Sequence, residues 1–360
     1  MKNNNNNIVN KIINRYLIEG LSGMALGLFA TLIVGLIIKQ IGGLMGNNII
    51  GNSLTSIGTI ATILTGAGIG IGVSHKLKAT SLVMYSSLVT GLVGAYAGKI
   101  ISGVAFQEGN VLLIGPGEPL GAFIAVVIGI EVGMLVSGKT KIDIIITPMI
   151  TIISGSVVGL LVGESISSFM SWLGHIIEIA TIQQPFMMGI LVAVLMGMIL
   201  TLPISSAALS IILGLNGLAA GAATVGCSAQ MIGFAVASYR ENKVNGLLAQ
   251  GLGTSMLQVP NIVKNPKIWL PPIISSAIIG PISTIVFRMK NNSFGGGMGT
   301  SGLVGQLMTW DTMIGSETPI ILIIKILLLH IILPAILTLI ISEFMRKKGW
   351  IKYGDMKLNL

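Results

Sequence analysis

Apolar residues fall in long runs separated by short polar joints, and the runs have the length of membrane crossings. A spanning helix needs about 20 mostly apolar residues, and about ten such stretches can be marked. In the first half the predicted spans are Leu17 to Ile38, Ile49 to Val73, Thr80 to Ala105, Leu120 to Ser137 and Ile142 to Gly163. Residues 164–183 follow a different rule. Glu164, Ser168, Ser171, His175 and Glu178 make one helical stripe, and Ile166, Phe169, Met170, Leu173, Ile176 and Ile177 the opposite one. Such a helix is expected to lie along the outer membrane surface, dividing a five-span half, residues 17–163, from a second half, residues 184–343. There a span from Phe186 to Leu202 precedes Pro203 to Ser238, a stretch too long for one crossing and short for two. It reads as a helical hairpin that enters and leaves on one side. Ile268 to Phe287 carries Pro271, Pro272 and Pro281 and should be kinked, and a last span runs to Ile341. The predicted fold class is all-α, a polytopic membrane helix bundle with re-entrant hairpins in the second half.

Composition supports that reading: 52% of the 360 residues are hydrophobic and 9% charged, against roughly 25% charged in a soluble domain. Lys and Arg outnumber Asp and Glu by 21 to 12. The basic residues sit in short joints near span ends, as the positive-inside bias of a cytoplasmic membrane predicts, so the excess does not point to nucleic acid. With the amino terminus inside, His75, Arg240 and the tail after Arg346 face the cytoplasm, while Glu108 and His175 face outward. Residues 1–16, opening on an asparagine tract, are expected to be a disordered cytoplasmic segment, and residues 344–360 a basic cytoplasmic tail. The lone Cys227 gives neither a disulfide framework nor a thiol metal site. The chain has no Ser-His-Asp order, no His-Glu-x-x-His and no phosphate-binding Lys-Ser/Thr motif. No catalytic residue, metal or cofactor is expected, and an independent enzyme has no support.

The chemistry that remains is that of binding. Gly66, Gly68, Gly70 and Gly72 give overlapping small-xxx-small pairs, whose first use is helix packing. The run from Phe294 to Gly305 holds Gly295, Gly296, Gly297 and Gly299 beside Thr300 and Ser301, and its backbone amides could receive a polar ligand or simply make a tight re-entrant turn. Glu118 and Glu317 each stand by a proline, on elbows where chain meets membrane; each is a candidate for gripping hydroxyls or for complementing a helix dipole. Glu131, Lys325 and His330 fall inside spans, where ionisable residues are functional candidates, and a Glu131 to Lys325 pair is the structural alternative.

The glycine loop from Phe294 to Gln306, the Glu118-Pro119 elbow, the Glu317-Thr318-Pro319 run and the break-rich second half together resemble the phosphotransferase-system IIC permeases, in particular the divergent branch that includes the perfringolysin regulator. The resemblance implies a carrier that binds a sugar between two re-entrant hairpins, dimerises with a second copy and works with separate phosphotransferase subunits. It implies that Glu317, and after it Glu118, grips the sugar hydroxyls, although neither follows an asparagine as in the family's loop. The expected function is membrane carriage of a small polar solute, a sugar being the implied class. The alternative is a membrane-embedded sensor that regulates without transport.

Overall fold

The computed structural model describes residues 11–107 and 110–358. The asparagine tract and Glu108 lie outside the described residues; of the segment 1–16 expected to be disordered, Ile13 to Tyr16 are instead helical, the start of the first helix. The helices, in chain order, are α1 Ile13–Leu44, α2 Ile49–Ile63, α3 Thr65–Lys76, α4 Ser81–Ile101, α5 Pro119–Val136, α6 Asp143–Thr181 and α7 Pro185–Thr201. There follow α8 Ser206–Ile212, α9 Gly217–Ala237, α10 Tyr239–Leu248, α11 Val259–Lys264, α12 Pro266–Val286, α13 Val304–Met313 and α14 Pro319–Lys347. One two-residue hairpin, Phe106–Gln107 with Asn110–Val111, is the only sheet among the described residues. Among the described residues, seven helices are long and apolar enough to cross a membrane, or eight if the α2–α3 pair, bent by 53°, is one span. That is fewer than the sequence suggests, in part because α7, at 17 residues, is a turn shorter than a usual crossing.

Two compact units divide the chain, Met1–Phe169 and Met170–Leu360. No break isolates residues 164–183 as a separate surface helix, because α6 runs through them without interruption. Their two-faced character is nevertheless present: Ile166, Met170 and Ile177 are buried while Glu164, Ser168, His175 and Glu178 are exposed.

In the first unit, glycine sets the helix spacing. Gly68 and Gly72 of α3 meet Gly27 and Gly23 of α1, while Gly66 and Gly70 on the other side meet Gly91 and Ser87 of α4. A Cβ at these positions would collide with a neighbouring backbone oxygen, so the two overlapping small-xxx-small pairs serve two different partners. The same unit shows the polarity of a membrane bundle along α6, where Thr147 and Thr151 are buried and Ile145, Met149, Ile153, Val157 and Leu161 form an exposed stripe. Apolar faces of that extent suit lipid and not water. Pro119 opens α5 from an extended Glu118, whose backbone N–H donates to Ala95 O at 2.7 Å; the proline there forfeits no helix bond.

In the second unit, α9 is the central ruler. Gly197 of α7 packs on Gly226 and Gln230 of α9, Ala193 lies against Gly226, and Pro185 and Leu218 line a common cavity. Residue numbers rise together along both helices, so α7 and α9 are parallel. The chain must therefore return between them, and residues 202–216, including the short α8, make that return. This corrects the reading of Pro203 to Ser238 as a one-sided hairpin. The 21-residue α9 is a full-length helix, and its polar side chains are satisfied within the protein: Ser228 donates to Thr224 O, and Gln230 bonds Trp269, Thr201 and Ser276. The prolines of α12 are absorbed locally. Pro271 and Pro272 lie in its opening turns, and Pro281 precedes a widened turn, Ile282–Val286.

Beyond α14 the chain is ordered and docked. Ile351 and Met356 are buried with Phe234, Ile262, Ile268 and Met345. Asn242 and Gln258 donate to Met356 O and Asn261 to Lys357 O, at 2.8, 3.0 and 2.9 Å. Arg346 pairs with Glu241 at 2.9 Å.

Candidate functional site

Two irregular segments approach each other within the second unit. From one end, residues 291–313 run down along α9 and back. Asn291 N–H donates to Gly217 O, Thr224 Oγ1 donates to Gly295 O, and Thr300 Oγ1 reaches Met231. Fourteen residues of α9 separate Gly217 from Met231, about 21 Å of helix. The return is fixed by Asn291 Nδ2 donating to Gly305 O at 3.0 Å and by Lys290 N–H reaching Met313 Sδ at 3.2 Å. Both limbs thus begin and end at one level, which defines a re-entrant hairpin. Its reversal uses left-handed backbone at Gly299 and Gly302 (φ +53° each) and at Leu303 (φ +59°); glycine takes that conformation without the steric cost a side chain brings.

From the opposite end comes the turn that follows α10. Gly251 lies against Ile232 and Ala235 near the end of α9. Gln250 Nε2 donates to Ser238 Oγ, Gln258 Nε2 to Gln250 Oε1, and Asn261 Nδ2 to Gln258 Oε1, at 2.9, 2.8 and 2.8 Å. This amide ladder satisfies the polar groups of the turn. The two segments touch where Thr300 Oγ1 donates to Gly251 O.

Most of the glycine loop is consumed by this packing. A Cβ at Gly296 would meet Ser210, at Gly297 the backbone of Ser206 and Ala207, and at Gly299 the backbone of Cys227. Ser206 Oγ donates to Gly297 O at 2.7 Å. Gly295 has Asn291 against it. The tight-turn alternative therefore accounts for these glycines as helix contacts, and polar capacity for a ligand resides in side chains.

Those side chains are Ser301, Gln306 and His330, exposed by 3%, 9% and 0%. Gln306 Nε2 and His330 Nδ1 are 3.1 Å apart. Ser301 Oγ, Gln306 Oε1 and His330 Nε2 have no hydrogen-bond partner among the described residues. The orientation of the amide and the tautomer of the ring are linked. If the amide donates to Nδ1, the ring offers Nε2–H and the amide offers its oxygen; if the ring donates, Nε2 accepts and the amide offers N–H. Either way the pair presents one donor and one acceptor, the complement of a hydroxyl. His330 stands in a widened turn of α14, Leu328–Ile332, a helix irregularity common at functional sites.

Glu317 lies just before α14, whose first turn opens at Pro319 behind an extended Thr318. Its Oε1 bonds Lys325 Nζ at 2.5 Å, with the side chains 21% and 20% exposed, and its Oε2 is buried without a partner among the described residues. Glu131 in the first unit pairs instead with Arg15, whose Nη2 is 2.7 Å from Glu131 Oε1. The Glu131 to Lys325 pair, the structural alternative for these charges, is not formed: each has a partner within its own unit. Glu118 belongs to the first unit, on the α5 elbow. Sequence reasoning named His330 and the loop but treated Gln306 only as a flank, because nothing in a 24-residue separation signals that pairing. No group of three His, Cys, Asp or Glu side chains gathers in metal-binding fashion among the described residues.

A family model for the phosphotransferase system, EIIC, matches residues 18–358. The chain belongs to the phosphotransferase-system EIIC family. Among curated proteins none matches it. The EIIC match extends over both units and the docked tail, and it establishes a multi-pass membrane protein of permease type that works with other components of a phosphotransferase system. The perfringolysin-regulator branch is a finer assignment than the EIIC match reaches.

Proposed function

We propose that this EIIC protein carries a small polar solute, a sugar being the class its family suggests, and that the second unit grips a solute hydroxyl between Gln306 and His330. The observation that carries the reading is the pair of buried, hydrogen-bonded side chains whose remaining donor and acceptor are both unmet. Leaving such groups unpaired costs roughly 1–3 kcal/mol each, and a ligand hydroxyl recovers it. Thr300 holds the hairpin tip in place, and Ser301 beside it and the second oxygen of Glu317 are the further candidate groups of this unit. Movement of the hairpin-bearing unit would open and close access. The protein would act as a homodimer, with phosphoryl transfer supplied by separate subunits.

The test is uptake of labelled sugars and polyols into sealed vesicles holding the purified protein. Saturable uptake that falls tenfold or more in Gln306→Ala and His330→Ala proteins of unchanged membrane content is expected, tenfold corresponding to about 1.4 kcal/mol. Binding with no saturable entry of the solute would favour the sensor. Wild-type uptake in both variants would remove the pair from the solute path.

A further inference from the structure

Just past the end of α12 the chain makes a short, fixed passage with an unusual charge. Met289 is fully buried and its N–H donates to Ser283 O at 2.9 Å, while Asn291 N–H donates to Gly217 O at 3.1 Å. These anchors hold the two residues beside Met289 in place. Arg288 and Lys290 flank the buried Met289 and face one common cavity. Arg288 holds φ at +48°, a conformation that a long side chain adopts only when its surroundings impose it. Both cations are exposed, and neither side chain takes part in an ion pair among the described residues.

Both line a cavity of about 550 Å³ whose other walls are Pro185 and Phe186 of α7, Leu218 of α9, Thr284 and Ile285 of α12, and Gln184. Phe186 and Ile285 are 52% and 47% exposed on span-forming segments, so the cavity opens toward lipid along an apolar wall and ends at two unpaired positive charges. It sits at the end of α12 remote from Pro266 and the docked tail. If the basic tail is cytoplasmic, these cations stand on the side where the positive-inside bias disfavours them, and they call for a local reason.

We propose that this cavity is a binding site for one anionic glycerophospholipid, with the phosphate held by Arg288 and Lys290 and an acyl chain laid against Phe186, Leu218 and Ile285. A neutral solute would not use two cations, and a soluble anion would not use the apolar wall. Two cations acting on an anionic headgroup at a membrane surface account for roughly a 30-fold preference.

The experiment measures lipid binding to the purified full-length protein by native mass spectrometry, with melting in detergent as a second readout. The probes are phosphatidylglycerol, phosphatidylcholine of the same chain length, and glycerol phosphate, the headgroup without its chains. Phosphatidylglycerol is expected to bind and raise the melting temperature, while phosphatidylcholine binds roughly 30-fold more weakly and glycerol phosphate has no effect. Arg288→Asn with Lys290→Gln should abolish the preference; asparagine tolerates left-handed backbone, so the passage keeps its geometry. Phe186→Ser should weaken both lipids alike, and Lys264→Gln with Lys267→Gln at the other end of α12 should change nothing. Equal binding of the two phospholipids, a preference that survives the double substitution, or binding of glycerol phosphate as strong as that of the intact lipid would each overturn the proposal.

Discussion

At the scale of single residues, Lys325 shows how a charge inside a span is accommodated. Its partner Glu317 sits eight positions earlier, ahead of the helix, and the lysine stem runs back along α14 to reach it. Both side chains are about four-fifths buried, between the exposed pairs that contribute little and the buried pairs whose breakage costs several kcal/mol. A double-mutant cycle on Glu317→Gln and Lys325→Met, read by reversible unfolding in detergent, should give a coupling of roughly 1–3 kcal/mol. The same cycle on Glu131 and Lys325 should be additive, since each has another partner; measurable coupling there would restore the pairing that the sequence suggested. What could be read from the sequence at this scale was local. The Glu118-Pro119 elbow and the glycine pairs of α3 depend on neighbours within one helical turn. Arg15 with Glu131 depends on where the chain travels over several crossings, and Gln306 with His330 on how the hairpin folds back beside α14; no spacing rule carries that information.

At the scale of elements, the hairpin of residues 291–313 and the full-length α9 set the topology of the second unit. If α9 crosses and the hairpin does not, Lys290 and Asp311 lie on one side of the membrane and Lys264 on the other. Single cysteines at these three positions, in a Cys227→Ser background, should react with an impermeant thiol reagent from one side for Lys290→Cys and Asp311→Cys and from the opposite side for Lys264→Cys. Labelling of Lys290→Cys and Asp311→Cys from different sides would make the hairpin a crossing. The sequence signalled irregularity here through glycine and proline but assigned the one-sided hairpin to Pro203–Ser238. The reason is physical. A break-rich stretch and an Ala- and Gly-rich full-length helix have similar mean polarity, and only packing against α7 separates them. Along α6 the two-faced pattern was legible, whereas its continuity was not, because a polar stripe beginning at Glu164 looks the same whether or not the helix breaks there.

At the scale of the whole molecule, membership of the EIIC family and an apolar helix bundle were legible throughout, since both rest on long runs and on the loop from Phe294 to Gln306. The ordered tail was not. A short basic segment after a last span ordinarily reads as solvated, yet Ile351 and Met356 insert into the second unit and Asn242, Gln258 and Asn261 use its carbonyls. Ending the chain after Lys348 should therefore lower the melting temperature and expose the α10–α11 segment to protease, the two lost apolar side chains alone representing about 1.5–3 kcal/mol each. An unchanged melting temperature and digestion pattern would mean that the tail merely rests on the surface. The docked tail also orders events in time. A chain made at about 5–20 residues per second emerges from its amino terminus onward, so residues 349–358 leave the ribosome after every element they pack against. Until they arrive, the amides of Gln258 and Asn261 lack the tail carbonyls of Met356 and Lys357, and the apolar bed of Phe234 and Ile262 stands open. Completion of the second unit thus waits on the emergence of residues 349–358, and slowed synthesis between α11 and that segment would prolong the interval in which quality-control proteases find the open bed.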